Sequence, residues 1–162
     1  MLSKNLFNLY KISLIMTNQK QKIISILNKV LETELAGVVR YTHYSLMIFG
    51  HNRIPIVEWL KGQASESLLH AGEAGEMITH YGGHPSLAIG TLLETENHNI
   101  DAILEESRQH ESKSLDLYKN LLKLTEGVTD YILVREYAVQ KIVEEESHLG
   151  EVDKMLRKEG SL

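Results

Sequence analysis

The chain has 162 residues, enough for one domain with a sizeable buried core. Apolar residues make up 43% and charged residues 24%, which excludes an intrinsically disordered composition. Cysteine is absent and the net charge is −5, so disulfides, thiolate metal sites and cysteine nucleophiles are excluded, and no basic cluster offers a grip on nucleic acid. Any metal must be held by histidine, aspartate, glutamate or other oxygen donors.

Two prolines, Pro55 and Pro85, leave long stretches free to be helix. No run approaches 18 apolar residues, so no membrane span is expected. Residues 1–17 read as an N-terminal extension that is poorly ordered, because Met16 opens a polar stretch resembling the natural start of a soluble chain. From about Asn18 to Gly50, Ile24, Leu27, Val30, Leu31, Leu35, Val38 and Val39 recur at three- and four-residue spacings, which predicts an amphipathic helix. A break at residues 50–53 precedes a second helix, with Pro55 near its first turn and Gly82 and Gly83 after its end. His84 to about Thr95 reads as a loop with apolar filling. A third helix is expected from about Glu96 to Leu124, and a fourth from about Asp130 to Arg157 with Thr129 as its cap.

Short connections join the first helix to the second and the third to the fourth, so each pair is antiparallel. The middle connection is long enough to travel the length of a bundle. Residues 18–160 are therefore expected to form an all-α four-helix bundle with a long crossover between helices 2 and 3.

The two halves of the chain repeat one another in their polar residues. Glu34 is followed by Tyr41, and Glu111 by Tyr118, at the same seven-residue spacing, two turns along one helix face. His70 follows Glu34 much as His148 follows Glu111, and residues 66–73 (ESLLHAGE) align with residues 144–151 (EEESHLGE). Taken singly, these elements are ordinary. With 18 glutamates and 8 histidines, one Glu-x-x-His is expected by chance, and each reads equally well as a solvated helix face. Matching order in both halves is harder to obtain by accident. Carboxylates and imidazoles buried together are costly unless a cation neutralises them. Such an oxygen–nitrogen donor set suits iron or manganese, with zinc as a competitor.

On these residues, from about Lys20 to Lys158, the chain resembles the bacterioferritin branch of the ferritin superfamily. The resemblance implies a ferritin-like fold, oxidation of Fe(II) by oxygen or peroxide at an intrasubunit di-iron site, iron storage, a homo-oligomer and a cytoplasmic location. It implies Glu34 and Glu111 as terminal metal ligands, Glu145 as a bridge, and His70 and His148 as one ligand to each metal. Tyr41 and Tyr118 would hydrogen-bond the ligand carboxylates from behind. Three departures stand out. Ser67 occupies the place of the second bridging glutamate, which leaves Glu66, one residue earlier, as a substitute ligand. Leu68 stands where the haem-ligating methionine falls, and leucine cannot ligate iron, so haem is not expected. Fourteen residues follow His148, so the short fifth helix of cage-forming members is not expected. A shell, a smaller cage and a dimer stay open. Two rival readings are a ferritin-like oxidase or peroxidase that stores nothing, and a non-enzymatic helical subunit whose metal site has decayed. The remaining histidines match no ligand spacing. His84 and His98 lie near the crossover, and His110 is expected to face solvent or a partner.

Overall fold

The computed structural model describes residues 2–92 and 95–161, with side chains from residue 16 onward. The helices are α1 (Leu2–Met47), α2 (Arg53–His80), α3 (Ile100–Thr125) and α4 (Ile132–Leu156), with a 3₁₀ turn at Thr129–Tyr131 ahead of α4. No strand occurs among the described residues, and no helix among them is long and apolar enough to cross a membrane.

The helix ends differ from the sequence reading for local reasons. Neither glycine nor proline interrupts residues 2–36, so the backbone of α1 continues through Asn18 without a break. The expected lack of order in residues 1–17 falls mostly on side chains outside the described residues. Helix α3 starts at Ile100 rather than Glu96. Glu96 has a φ of +53°, which no helix accommodates, and the Asn99 side chain caps the helix by accepting from the Ala102 N–H at 2.9 Å. Thr129 opens the 3₁₀ turn instead of capping α4, whose cap position is Tyr131.

Neighbouring helices run antiparallel. Between α1 and α3, Gln19 donates to the Leu124 carbonyl at 2.6 Å, and Arg40 lies 3.6 Å from Glu106 near the other end. Between α2 and α4, Glu66 lies near His148 and Glu73 near Lys141. The buried apolar side chains form two clusters. One gathers Ile23, Leu27, Val30, Ala74, Leu121 and Val134; the other gathers Tyr41, Tyr44, Ile48, Leu60 and Ile103. In α1 the two are separated by Thr33 and Glu34, buried polar residues that belong to neither. Val39, expected on the apolar face, is 40% exposed.

The crossover lies along α1. Asn28 donates to the His84 carbonyl at 3.3 Å and accepts from the Ser86 N–H at 2.7 Å. The Gly90 N–H donates to the Glu32 carbonyl at 2.7 Å. A Cβ at position 90 would stand 2.9 Å from that same carbonyl oxygen, so only glycine allows the backbones to approach this closely. Gly90→Ala is therefore expected to destabilise the protein by about 1–3 kcal/mol through overpacking and loss of this bond. A chemical-denaturation midpoint measures the effect; an unchanged midpoint would show that the crossover is not anchored here.

Candidate metal centre

Between the two apolar clusters, all four helices contribute polar side chains. Glu34 comes from α1, His70 from α2, Glu111 from α3, and Glu145 and His148 from α4. Their placement follows from helix periodicity. Glu34 shares a face with buried Val30 and Leu31, and Glu111 one with buried Leu115 and Tyr118, so the faces that enter the core carry the carboxylates with them.

Two groups of potential ligand atoms result. Glu34, His70 and Glu145 offer three atoms within 4.8 Å of one another, and Glu111, Glu145 and His148 offer three more. Ligand atoms bound at about 2.0–2.2 Å to one ion stand roughly 3–4.4 Å apart, so each trio is close to the spacing a cation requires. Glu145 belongs to both. Its Oε1 lies 3.6 Å from His70 Nδ1 and its Oε2 lies 3.9 Å from His148 Nδ1. Glu34 Oε1 stands 3.7 Å from His70 Nδ1, and Glu111 Oε2 stands 3.8 Å from His148 Nδ1. Both histidines thus turn Nδ1 toward the shared carboxylate.

The outer nitrogens face carboxylates from the opposite helix. His70 Nε2 is 3.2 Å from Glu144 Oε2, and His148 Nε2 is 3.3 Å from Glu66 Oε1. The tyrosines cross over in the same way. Tyr118 donates to Glu34 at 2.9 Å, and Tyr41 donates to Glu111. Each tyrosine ring has an edge-on aromatic neighbour, Trp59 for Tyr41 and Tyr137 for Tyr118. The structure therefore brings Glu34, His70, Glu111, Glu145 and His148 together. It sets Glu66 outside both trios, behind the His148 ring, and Leu68 on the surface at 58% exposure.

Ser67 is buried beside Gly37 of α1. A Cβ at Gly37 would stand 2.6 Å from Ser67 Oγ and 2.8 Å from His110 Nε2. The missing side chain at Gly37 is what admits both groups. His110 was expected to face outward. It is instead 7% exposed, packed edge-on against Tyr41, with its Nε2 lacking a hydrogen-bond partner. Burial holds its pKa down at about 4, so it is neutral. One charged residue, Lys141, escaped the sequence reading altogether. Lys141 is buried between Glu73 and Glu144, and Glu144 links it to His70. Lys141 lies two turns before His148, so the spacing carried the signal, but a lysine is normally read as surface.

The electrostatics are those of an anionic site held together by protons. Burial works against a charge on His70, but hydrogen bonds to Glu145 and Glu34 outweigh it and push its pKa up to about 10. Glu111 and Glu145 push His148 up to about 10 as well, against burial. Burial raises Glu111, with the neighbouring Glu145 charge adding to it. Glu145 is itself lowered, since His148, His70 and Glu111 overcome its burial. Two imidazolium groups therefore flank one shared carboxylate, and Glu145 Oε2 still has no hydrogen-bond partner. A buried orphan acceptor between two further carboxylates fits divalent cations, whose charge would replace the two protons.

Comparison with known proteins gives a consistent result. A family model described as a ferritin-like domain matches residues 24–160. The bacterioferritin of Desulfovibrio desulfuricans is 28% identical over 137 residues, covering 82% of this chain and 73% of that protein. A crystal structure of that species' bacterioferritin, described by its diiron site in different catalytic states, superimposes with a TM-score of 0.73 at 26% identity, covering 86% of this chain and 80% of the other. A ferritin-like diiron-carboxylate protein from Bacillus anthracis superimposes with a TM-score of 0.80 at 22% identity, covering 86% of this chain and 98% of the other, and shares the fold.

The raised histidine pKa values fix the sign of a pH effect. Both groups have folded values near 10, above the ordinary 6.5, so their stabilisation is complete below about pH 6.5. It is lost as pH rises through about 10. The melting temperature of the metal-free protein, followed by calorimetry, is expected to fall from pH 6.5 to pH 10. Saturation with Zn(II), which displaces those protons, is expected to flatten the profile. A metal-free profile that is level or rising across this range would contradict the imidazolium assignment.

Proposed function

The chain belongs to the ferritin-like domain family, and from that footing we propose that it binds Fe(II) at the bundle centre and oxidises it with oxygen or peroxide, as part of iron storage or detoxification. The shared carboxylate of Glu145 between two Glu–His pairs, with its Oε2 3.9 Å from His148 Nδ1 and outside hydrogen-bond distance, carries this reading. A purely structural polar layer would have no use for an acceptor left unsatisfied at the core of the bundle.

Each residue has a definite task. Glu34 with His70 holds one cation, Glu111 with His148 holds the second, and Glu145 serves both. Bound Fe(II) supplies the electrons that reduce the oxidant. His70 and His148 give up their protons on loading and offer Nδ1 lone pairs. Glu144 and Glu66, facing the Nε2 atoms, fix the tautomer that leaves Nδ1 free. Tyr118 and Tyr41 keep the Glu34 and Glu111 carboxylates aimed inward, and both phenols stay protonated because burial raises their pKa values well above 10. The role assigned here to Glu66 is thus to position His148, not to ligate.

Ser67 leaves the centre with one shared carboxylate where a complete one has two. Slower oxidation follows, because fewer anions stabilise the oxidised ions. A homo-oligomer is part of this reading. Leu69 of α2 at 60%, and Leu87 at 96% and Ile89 at 51% in the crossover, are exposed apolar side chains that a second copy would cover. The non-enzymatic alternative draws on the same Ser67.

Anaerobic Fe(II) titration followed by oxygen addition separates the readings. The expected result is about two irons per subunit with oxidation faster than buffer, both abolished in Glu145→Ala. One iron or none, with oxidation at the buffer rate, would leave a ferritin-like subunit with a decayed centre. Ser67→Glu restores a carboxylate three residues before His70 and is expected to raise the stopped-flow oxidation rate by about tenfold. A slower variant would mean that Gly37 and His110 have taken up the space.

A further inference from the structure

Two histidines that the bundle centre does not use are nonetheless brought together by the fold. His43 belongs to α1, and His98 ends the crossover, just before the Asn99 cap of α3. Their ring centroids stand 5.8 Å apart, with the planes inclined at 62°. Each residue is half-buried, and in each the Nε2 atom is shielded from solvent. An ion held at about 2.0–2.1 Å by one nitrogen of each ring would set the ring centres roughly 5–6.5 Å apart, so the observed spacing is that of two imidazoles able to share a cation. Neither residue belongs to the two trios at the bundle centre. The surroundings hold both rings in place. The His43 ring packs against Tyr44 at 5.8 Å, and Tyr44 donates to Glu106 of α3. Thr95 Oγ1 donates to the same carboxylate at 2.6 Å, and Asn99 Nδ2 donates to Asn97 Oδ1 at 2.6 Å, so the chain is tied on both sides of His98. Arg40 lies three residues before His43 on the same face, but Glu106 at 3.6 Å offsets its charge.

We propose that His43 and His98 form a separate, imidazole-based site for a divalent cation of the Zn(II), Ni(II) or Cu(II) class, with water filling the remaining positions. A donor set led by imidazole favours these ions over iron and manganese, which the oxygen-rich centre suits. His43 lies on α1, and His98 lies at the α3 end of the long connection. A bound ion therefore clips the end of the crossover, and with it the start of α3, onto α1. Closing a long loop in this way removes freedom from the unfolded chain, and binding to the folded form alone stabilises it. The site has a structural task, distinct from redox chemistry, and does not rest on the two-metal reading proposed above.

Glu145→Ala removes the carboxylate common to both trios and so isolates the histidine pair. Calorimetric titration of that variant with Zn(II) is expected to show about one ion per subunit, its affinity falling by about tenfold or more when either His43→Gln or His98→Gln is added. Cu(II) bound to the same variant should show, by electron paramagnetic resonance, the splitting of two ring nitrogens, and of one after either replacement. In the wild-type chain, Zn(II) should slow amide hydrogen exchange at residues 95–99, and His43→Gln or His98→Gln should abolish that slowing. The exchange measurement decides alone if Glu145→Ala does not fold. No Zn(II) binding in Glu145→Ala, binding that survives both replacements, or binding lost with one ring but not the other would overturn the proposal. So would exchange at residues 95–99 that Zn(II) leaves unchanged. None of these outcomes bears on Fe(II) binding at the bundle centre, which the anaerobic titration above tests separately.

Discussion

Three carboxylates buried at the middle of a helical bundle are the feature on which the rest of this structure depends. Glu34, Glu111 and Glu145 are each at most 5% exposed. Carboxylates withdrawn from water are tolerated only when partners or cations compensate them. The surrounding residues read as that compensation: two imidazoles turned toward Glu145, two phenols donating to Glu34 and Glu111, and an outer ring in which Glu144 and Glu66 face the far sides of the rings. Apolar clusters on either side of this layer hold the helices in register. They supply the hydrophobic stabilisation that the layer itself does not.

The partners cross between the halves of the bundle. Tyr41 of α1 serves Glu111 of α3, and Tyr118 of α3 serves Glu34 of α1. Glu66 of α2 serves a histidine of α4, and Glu144 of α4 serves a histidine of α2. No helix can therefore shift along its axis without disturbing the surroundings of a ligand on another helix. Glu66 and Glu144 each lie four positions before a histidine of their own helix, on the same face one turn away, yet each faces the histidine of the opposite helix.

Departures from this two-fold pattern are where the centre acquires its particular character. Glu145 has no carboxylate counterpart, because Ser67 stands there, tucked against Gly37 and beside a neutral, buried His110. Lys141 has no cationic counterpart, because Gln63, seven residues before His70, stands there. One half has lost an anion; the other carries an added cation that Glu73 and Glu144 together outweigh. The crossover, pinned to α1 through Asn28 and Glu32, leaves the centre itself untouched.

Much of this was legible in the residues. Hydrophobic periodicity with two glycine-marked breaks and one long proline-bearing connection determined four helices and a crossover. The repeat of Glu34 and Tyr41 in Glu111 and Tyr118 marked one polar face in each half, since spacing along a helix fixes direction around it. Tertiary structure alone decided how those faces meet. Glu66 and Ser67 differ by one position, yet one faces the outer nitrogen of His148 and the other is buried against Gly37, because helix rotation turns a single residue step into about 100°. His110 reads as a surface residue until the bare backbone of Gly37 admits it, and nothing local to Lys141 marks it for burial beside Glu73 of α2. Sequence order fixes which residues share a helix face; which charges end up sharing a dielectric depends on contacts between helices far apart in the chain, and no local pattern encodes those.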